Sequence, residues 1–320
     1  TGLTTSARSY FERFNYENAE KIIMSNGSDG PRVINNTTVT TISESSVAGA
    51  KFVASFREHM FYAGMSSTPQ ELVFSVPFNE DDFTSGSGAG SIKVDDNITG
   101  LKVFRDSLFV FCQDRIFKLT GNSSSSFTIA PVSRTLGCLD GFSIQEIGGD
   151  LVFLGPDGIR TVQGTARIGD TELGVISKPI QRRFQNISLD RISSVVIRDK
   201  SQYRIFRPTT GGTEVSAQGI IGVIKANPQG QVGWEWSEIK GIKPSCSDSQ
   251  FINDDSYSKG IAGRAELYSG AYIEIIFIHY RLFGWGMRQI TGYFEDLWEG
   301  KNLDIAVPSF GNLSDLFASI

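Results

Sequence analysis

The sequence predicts an all-β fold, β-propeller-like with four-stranded blades, and three observations carry that expectation. The first is composition: 34 Gly, 10 Pro and 23 Phe in 320 residues suit short half-buried strands joined by many turns. The second is a strand–turn–strand unit that recurs along the chain. The third is turn chemistry at fixed places in that unit. A β-sandwich of the same strands is the alternative topology.

Taken in chain order, the first copy is Phe52-Val53-Ala54-Ser55-Phe56, the turn Arg57-Glu58-His59, then Met60-Phe61-Tyr62-Ala63-Gly64. The second is Leu101 to Phe104, the turn Arg105-Asp106-Ser107, Leu108 to Phe111, a turn at Gln113-Asp114-Arg115, and Ile116 to Gly121. A third runs Phe142 to Ile147, Gly148-Gly149-Asp150, Leu151 to Leu154, Pro156-Asp157-Gly158, and Ile159 to Gly164. A looser fourth pairs Ser194 to Ile197 with Tyr203 to Phe206 across Arg198 to Gln202. The acidic turn residues Glu58, Asp106, Asp150 and Asp199 are separated by 48, 44 and 49 positions. Repeats of ~40–50 residues with about four short strands mark propeller blades, whose faces are buried only by their neighbours. Phe109, Phe153 and Phe206 are expected in the core.

The polar stretches Thr84–Ser91 and Asn122–Ser126 read as loops between blades, and 209–215 as a polar break. Trp234-Glu235-Trp236 follows a Pro228-Gln229-Gly230 turn and reads as a strand with buried aromatics. These signals divide the chain into an N-terminal connecting segment (1–20), a propeller-like repeat domain (21–270) and a C-terminal packing or assembly segment (271–320). The start at Thr1-Gly2, with no initiator Met, reads as a processed or partial product.

Chemical motifs are sparse. The loop Gly86-x-Gly88-x-Gly90 precedes a strand, Ile92-Lys93-Val94, where a phosphate cradle needs a helix N-terminus. The pairs Asp81-Asp82, Asp95-Asp96 and Asp254-Asp255 lie in turn contexts where Asp bonds its own backbone; a loop calcium site is the alternative. His59 and His279 lie 220 positions apart, and His59 is expected in a hairpin turn. No Gly-x-Ser-x-Gly elbow is present. Cys112, Cys138 and Cys246 have no metal-ligand spacing, and Cys112 reads as a buried free thiol. No catalytic residue, cofactor or metal is assigned. The apolar stretch Ala271–Met287 contains Glu274, His279 and Arg281, which argues against a membrane span. A net charge of −5 argues against a protein that grips nucleic acid.

The segment Phe61 to Gly164 resembles the β-propeller tail proteins of tailed bacteriophages, especially the nozzle or tail-tube-extending proteins of short-tailed ones. The residues that carry the resemblance are Tyr62-Ala63-Gly64, Phe74-Ser75-Val76-Pro77 with Asp82-Phe83, Ile98-Thr99-Gly100-Leu101 and Leu108-Phe109-Val110-Phe111. They continue with Leu119-Thr120-Gly121, Gly137-Cys138 and Phe153-Leu154-Gly155-Pro156-Asp157-Gly158-Ile159. The resemblance implies a structural virion protein, assembled in the bacterial cytoplasm as a ring, commonly a homohexamer, joined to adjoining tail or adaptor proteins around the DNA exit channel. A baseplate position in a longer-tailed phage stays open. In such a ring, Asp95, Asp96, Asp254 and Asp255 are the expected lumen-lining acids, repelling the passing duplex. Phe277, Phe283, Trp285 and Trp298 are the expected subunit contacts. The other function classes are a host-surface carbohydrate-binding module and, behind it, a two-carboxylate glycosidase.

Overall fold

A computed structural model describes residues 3–4, 7–16, 19–35, 38–163, 175–184, 192–207, 218–226 and 232–240. In the C-terminal part it describes 276–277, 279–281, 284, 286–301, 307–308 and 313. The chain divides into two compact units, Thr1–Ser249 and Gln250–Ile320.

The first unit is all-β. Sheet 1 contains β1 (Tyr10–Tyr16), β2 (Ala19–Ser25), β3 (Arg32–Asn35) and β4 (Thr38–Thr41). Sheet 2 contains β5 (Phe52–Phe56), β6 (His59–Ala63), β7 (Glu71–Phe74) and β8 (Gly90–Lys93). Sheet 3 contains β9 (Ile98–Phe104), β10 (Ser107–Cys112), β11 (Ile116–Thr120) and β12 (Thr128–Ser133). Sheet 4 contains β13 (Gln145–Ile147), β14 (Asp150–Gly155) and β15 (Gly158–Thr161), and a bridge from Arg160 to Val175 begins a fourth strand position. Sheet 5 contains β16 (Ser193–Ile197), β17 (Gln202–Arg207), β18 (Gln218–Ala226) and β19 (Val232–Lys240). Every sheet is an antiparallel meander in chain order, and the first strands β1, β5, β9, β13 and β16 share one central cavity. This is the propeller-like arrangement of four-stranded blades that the repeats predict.

The continuous apolar runs have a physical cause. Sheets 2, 3 and 4 are buried on both faces, and alternate side chains enter different cores. In β10, Leu108, Val110 and Cys112 pack against sheet 2, whereas Phe109 and Phe111 pack against sheet 4. In β14, Leu151 and Phe153 face sheet 3, and Val152 and Leu154 face sheet 5. Phe109, Phe153 and Phe206 are all buried. Trp234 and Trp236 are half-buried, with their rings stacked at 5.4 Å.

Hydrogen bonds tie neighbouring blades. The Tyr203 hydroxyl donates to Ser143 O at 2.9 Å, and Gln145 Nε2 donates to Ser194 O at 3.1 Å. Lys21 Nζ meets the buried Glu80 carboxylate at 2.7 Å, which links sheet 1 to the β7–β8 loop.

Three details differ from the sequence reading. The polar stretches Thr84–Ser91 and Asn122–Ser126 fall within blades, at the connections between the third and fourth strands of sheets 2 and 3, and do not separate blades. Strand pairing starts at Tyr10, so a boundary at residue 20 falls inside the β1–β2 hairpin. His59 is the first residue of β6 and is buried, with Nδ1 donating to Ser75 O at 2.6 Å and Phe61, Phe74 and Phe127 around the ring. A charged-looking turn motif hides it in sequence, because the two-residue turn Arg57-Glu58 already closes the hairpin.

The second unit contains α1 (Met287–Gly300), with Ile290, Phe294 and Leu297 on one helical face. Ile290 and Phe294 are buried with Ile276 and Leu313. Among the described residues no helix is long and apolar enough to cross a membrane.

Candidate functional site

A cavity of about 720 Å³ lies where the first strands converge. Its wall takes Tyr10 and Glu12 from β1, Val53 from β5, Lys102 from β9, Gln145 from β13 and Ser194 from β16. Consecutive residues of each first strand contribute, because a first strand has one free edge and both of its flanks border the axis. Arg8, just before β1, lies with its guanidinium carbon 3.5 Å from the centroid of Phe142, and the Tyr10 ring stacks on the same residue at 3.8 Å.

Burial raises the Glu12 carboxyl above the ordinary carboxylate range, opposed by the Ser55 N–H and by the Lys102 charge. Burial likewise raises Asp140, opposed by the Phe142 N–H, which donates at 2.7 Å, and by Arg8 and Lys51. The Tyr10 hydroxyl is raised well above its usual value, first by burial and then by Asp140. Glu12 is the single carboxylate lining the cavity among the described residues.

The acids expected at the lumen of a ring lie outside this single-chain cavity. Asp95 and Asp96 sit in the β8–β9 loop: Asp95 pairs with Arg115, and Asp96 accepts the backbone N–H groups of Asn97 and Asp114, each at 2.7 Å. Their oxygens serve local donors, and neither residue lines the axial cavity. Asp82 caps Thr84 N at 2.9 Å, and hydrogen bonds from Thr84 hold its carboxyl below the usual range. Among the described residues no three His, Cys, Asp or Glu side chains gather as a metal site. The glycine-rich loop forms a 3-10 turn at Ser85–Ser87, passes Gly88 at φ 106°, and enters strand β8. Asp254 and Asp255 lie outside the described residues, as do Phe283 and Trp285. Phe277 and Trp298 are half-buried within the second unit, Phe277 beside Tyr280 and Trp298 beside Phe294.

The acidic repeat residues do come to equivalent places. Glu58, Asp106, Asp150 and Asp199 each sit in or beside the turn between the first two strands of sheets 2 to 5. Arg57 Nη2 reaches Asp106 Oδ1 at 3.5 Å, and Arg105 Nη2 donates to Gly149 O at 2.8 Å, so these turns run from blade to blade.

Sequence reading did not anticipate the open face of sheet 1. Phe14, Ile23 and Val33 point toward sheet 2, so the alternate residues point away. On that outward side Phe11, which also borders the axial cavity, is 60% exposed, Val39 58% and Ile22 37%; Ile34 is half-buried, Met24 is buried, and Arg13 and Arg32 share the face. The available signal was the alternation in Tyr10-Phe11-Glu12-Arg13-Phe14, which puts aromatics on both faces.

No family model matches the chain, and no curated protein sequence matches it. Among solved structures it is similar to Kluyveromyces lactis Hsv2p, at 11% identity over 74% of this chain and 73% of that one, with a TM-score of 0.40. It is also similar to a quinonprotein alcohol dehydrogenase-like protein from Bacteroides thetaiotaomicron, at 8% identity over 75% and 70%, with a TM-score of 0.38. Likenesses at this level assign no function.

Proposed function

We propose that the chain is a structural component of a bacteriophage tail, a nozzle or ring protein that assembles with its own copies and with adjoining tail proteins around the DNA exit channel. The observation that supports an assembling protein is the outward side of sheet 1. A β-sheet face bearing exposed Phe11, Ile22 and Val39 is unfavourable in water, and the cross-strand row Ile22, Ile34 and Val39 is the kind of apolar surface that marks a contact. The axial cavity is far too small to pass a duplex, so the channel of this reading lies between copies. A net charge of −5 per chain, multiplied around a ring, repels DNA in transit. A cavity with one carboxylate gives no support to two-carboxylate sugar cleavage.

The test is location and assembly together. Antibody against the chain should decorate the tail of intact particles, and rings isolated from those particles should lose subunits when Phe11 is changed to Asp. An unlabelled tail would overturn the reading. So would release of reducing ends from host envelope polysaccharide that stops when Glu12 is changed to Gln.

A further inference from the structure

The outermost strands of the sheets differ in how their free edges are guarded. β8 ends on the exposed Lys93, β12 contains Pro131, β19 carries Glu235 and Glu238, and β15 is bridged by Val175. Charges and prolines on an edge prevent another strand from pairing with it. β4 has neither: Thr38-Val39-Thr40-Thr41 is uncharged, β-branched and exposed at all four positions.

The free hydrogen-bonding groups can be named. Ile42 N donates to Pro31 O at 2.8 Å, which sets the alternation along the β3–β4 pair, where Thr40 faces Val33 and Thr38 faces Asn35. Thr38 and Thr40 therefore point their backbone groups toward β3, and Val39 and Thr41 point theirs outward.

We propose that β4 pairs antiparallel with β4 of a second copy about a two-fold axis at Thr40. Val39 of each copy exchanges two backbone hydrogen bonds with Thr41 of the other, and the two Thr40 residues face each other as a non-hydrogen-bonded pair. The argument for a second copy is charge. A strand laid against itself at β8 or β19 sets like charges close together, whereas β4 meets only Thr and Val, which pair well across strands. The register also places Val39 beside Thr41 of the other copy on the outward side, so the apolar face containing Ile22 and Val39 continues across the junction. Such a contact closes on two copies; within a tail ring it joins two rings. It needs only this chain and does not rest on the tail reading.

The experiment is mass by sedimentation with cysteine crosslinking. The full chain should sediment at twice its monomer mass. Thr41→Pro removes an outward N–H without touching the β3 pairing, and should sediment as a monomer with an unchanged circular dichroism spectrum. Thr40→Lys sets two like charges opposite each other and should do the same, which guards against a folding defect in the proline variant. Facing Cα atoms in a non-hydrogen-bonded pair lie about 4.5 Å apart, within disulfide range. Thr40→Cys should therefore crosslink to its copy on oxidation, and Thr38→Cys should not. A monomeric wild-type chain, a dimer that persists in both edge variants, or equal crosslinking at 38 and 40 would overturn the pairing.

Discussion

Tyr10 of sheet 1 and Phe142, at the entrance to sheet 4, stack across the propeller axis with ring centroids 3.8 Å apart. The two residues belong to blades that are not neighbours in the chain. Tyr10 also meets Phe52 edge-on at 5.0 Å, so one aromatic side chain braces three sheets at their inner strands. The brace explains why a first strand with only one hydrogen-bonded neighbour stays aligned beside an open cavity.

Removing the brace should cost stability in a coupled way. Phe142→Ala should destabilise by about 2–3 kcal/mol, less than the ~3–5 kcal/mol of a fully buried Phe, because the ring is half-buried. In a double-mutant cycle with Tyr10→Leu, the coupling should be about 0.5–1.5 kcal/mol. Urea unfolding of the four proteins measures both. Strict additivity would show that the stacking contributes nothing beyond area.

The β5–β6 turn holds Arg57 at φ 49° and Glu58 at φ 69°. Both are left-handed, a conformation that costs a residue with a Cβ roughly 1–2 kcal/mol, and the tight hairpin turn prefers Gly at its second central position. Glu58→Gly should raise the urea midpoint, with a net gain of about 0.5–1 kcal/mol after the added freedom of Gly in the unfolded chain. The hydrogen bond from Phe78 N to Glu58 O uses the backbone and survives the change.

Glu12 should set a pH dependence of stability. Its folded carboxyl titrates above the unfolded one because burial penalises the charge. The folded state therefore holds the proton more tightly, and this contribution to stability is fully present below the unfolded value of about 4.3. It is lost as pH rises through the folded value. Glu12→Gln keeps an oxygen for the Ser55 N–H and removes the charge. Relative to wild type it should gain stability as pH increases from 4 to 7, read from urea midpoints across that range. A constant difference would place the titration elsewhere.

Cys112 and Cys138 are both buried, and burial raises both thiols, Cys138 to about 12. Since the thiolate is the reactive form, neither should react with a thiol reagent in the native protein. Both should label in denaturant. Labelling at position 138 under native conditions would indicate opening between sheets 3 and 4.

Much of the first unit was legible because local and tertiary demands coincide. The two-residue turn at Arg57-Glu58 and the Pro156-Asp157-Gly158 turn stand beside apolar runs, and each marks a hairpin found in the fold. The 44–49 residue spacing of Glu58, Asp106, Asp150 and Asp199 reports the same turn in consecutive blades. Sheet 1 was harder to see, since Lys21, Glu12 and Arg13 interrupt its strands with charges. These charges are tolerated because β1 borders the axial cavity and Lys21 has Glu80 as a partner.

The sequence by itself determined that the first unit is built of β-strands, where most of their turns fall, and that Phe109, Phe153 and Phe206 are core residues, because turn chemistry and side-chain alternation act over a few residues. Only the tertiary structure decided that Tyr10 meets Phe142, that Glu12 is desolvated beside Lys102, that Asp96 is spent on backbone donors, and that Phe11 and Val39 face outward. Each of these depends on which sheet lies against which. That is set by burial summed over whole faces, and no short stretch of sequence contains it.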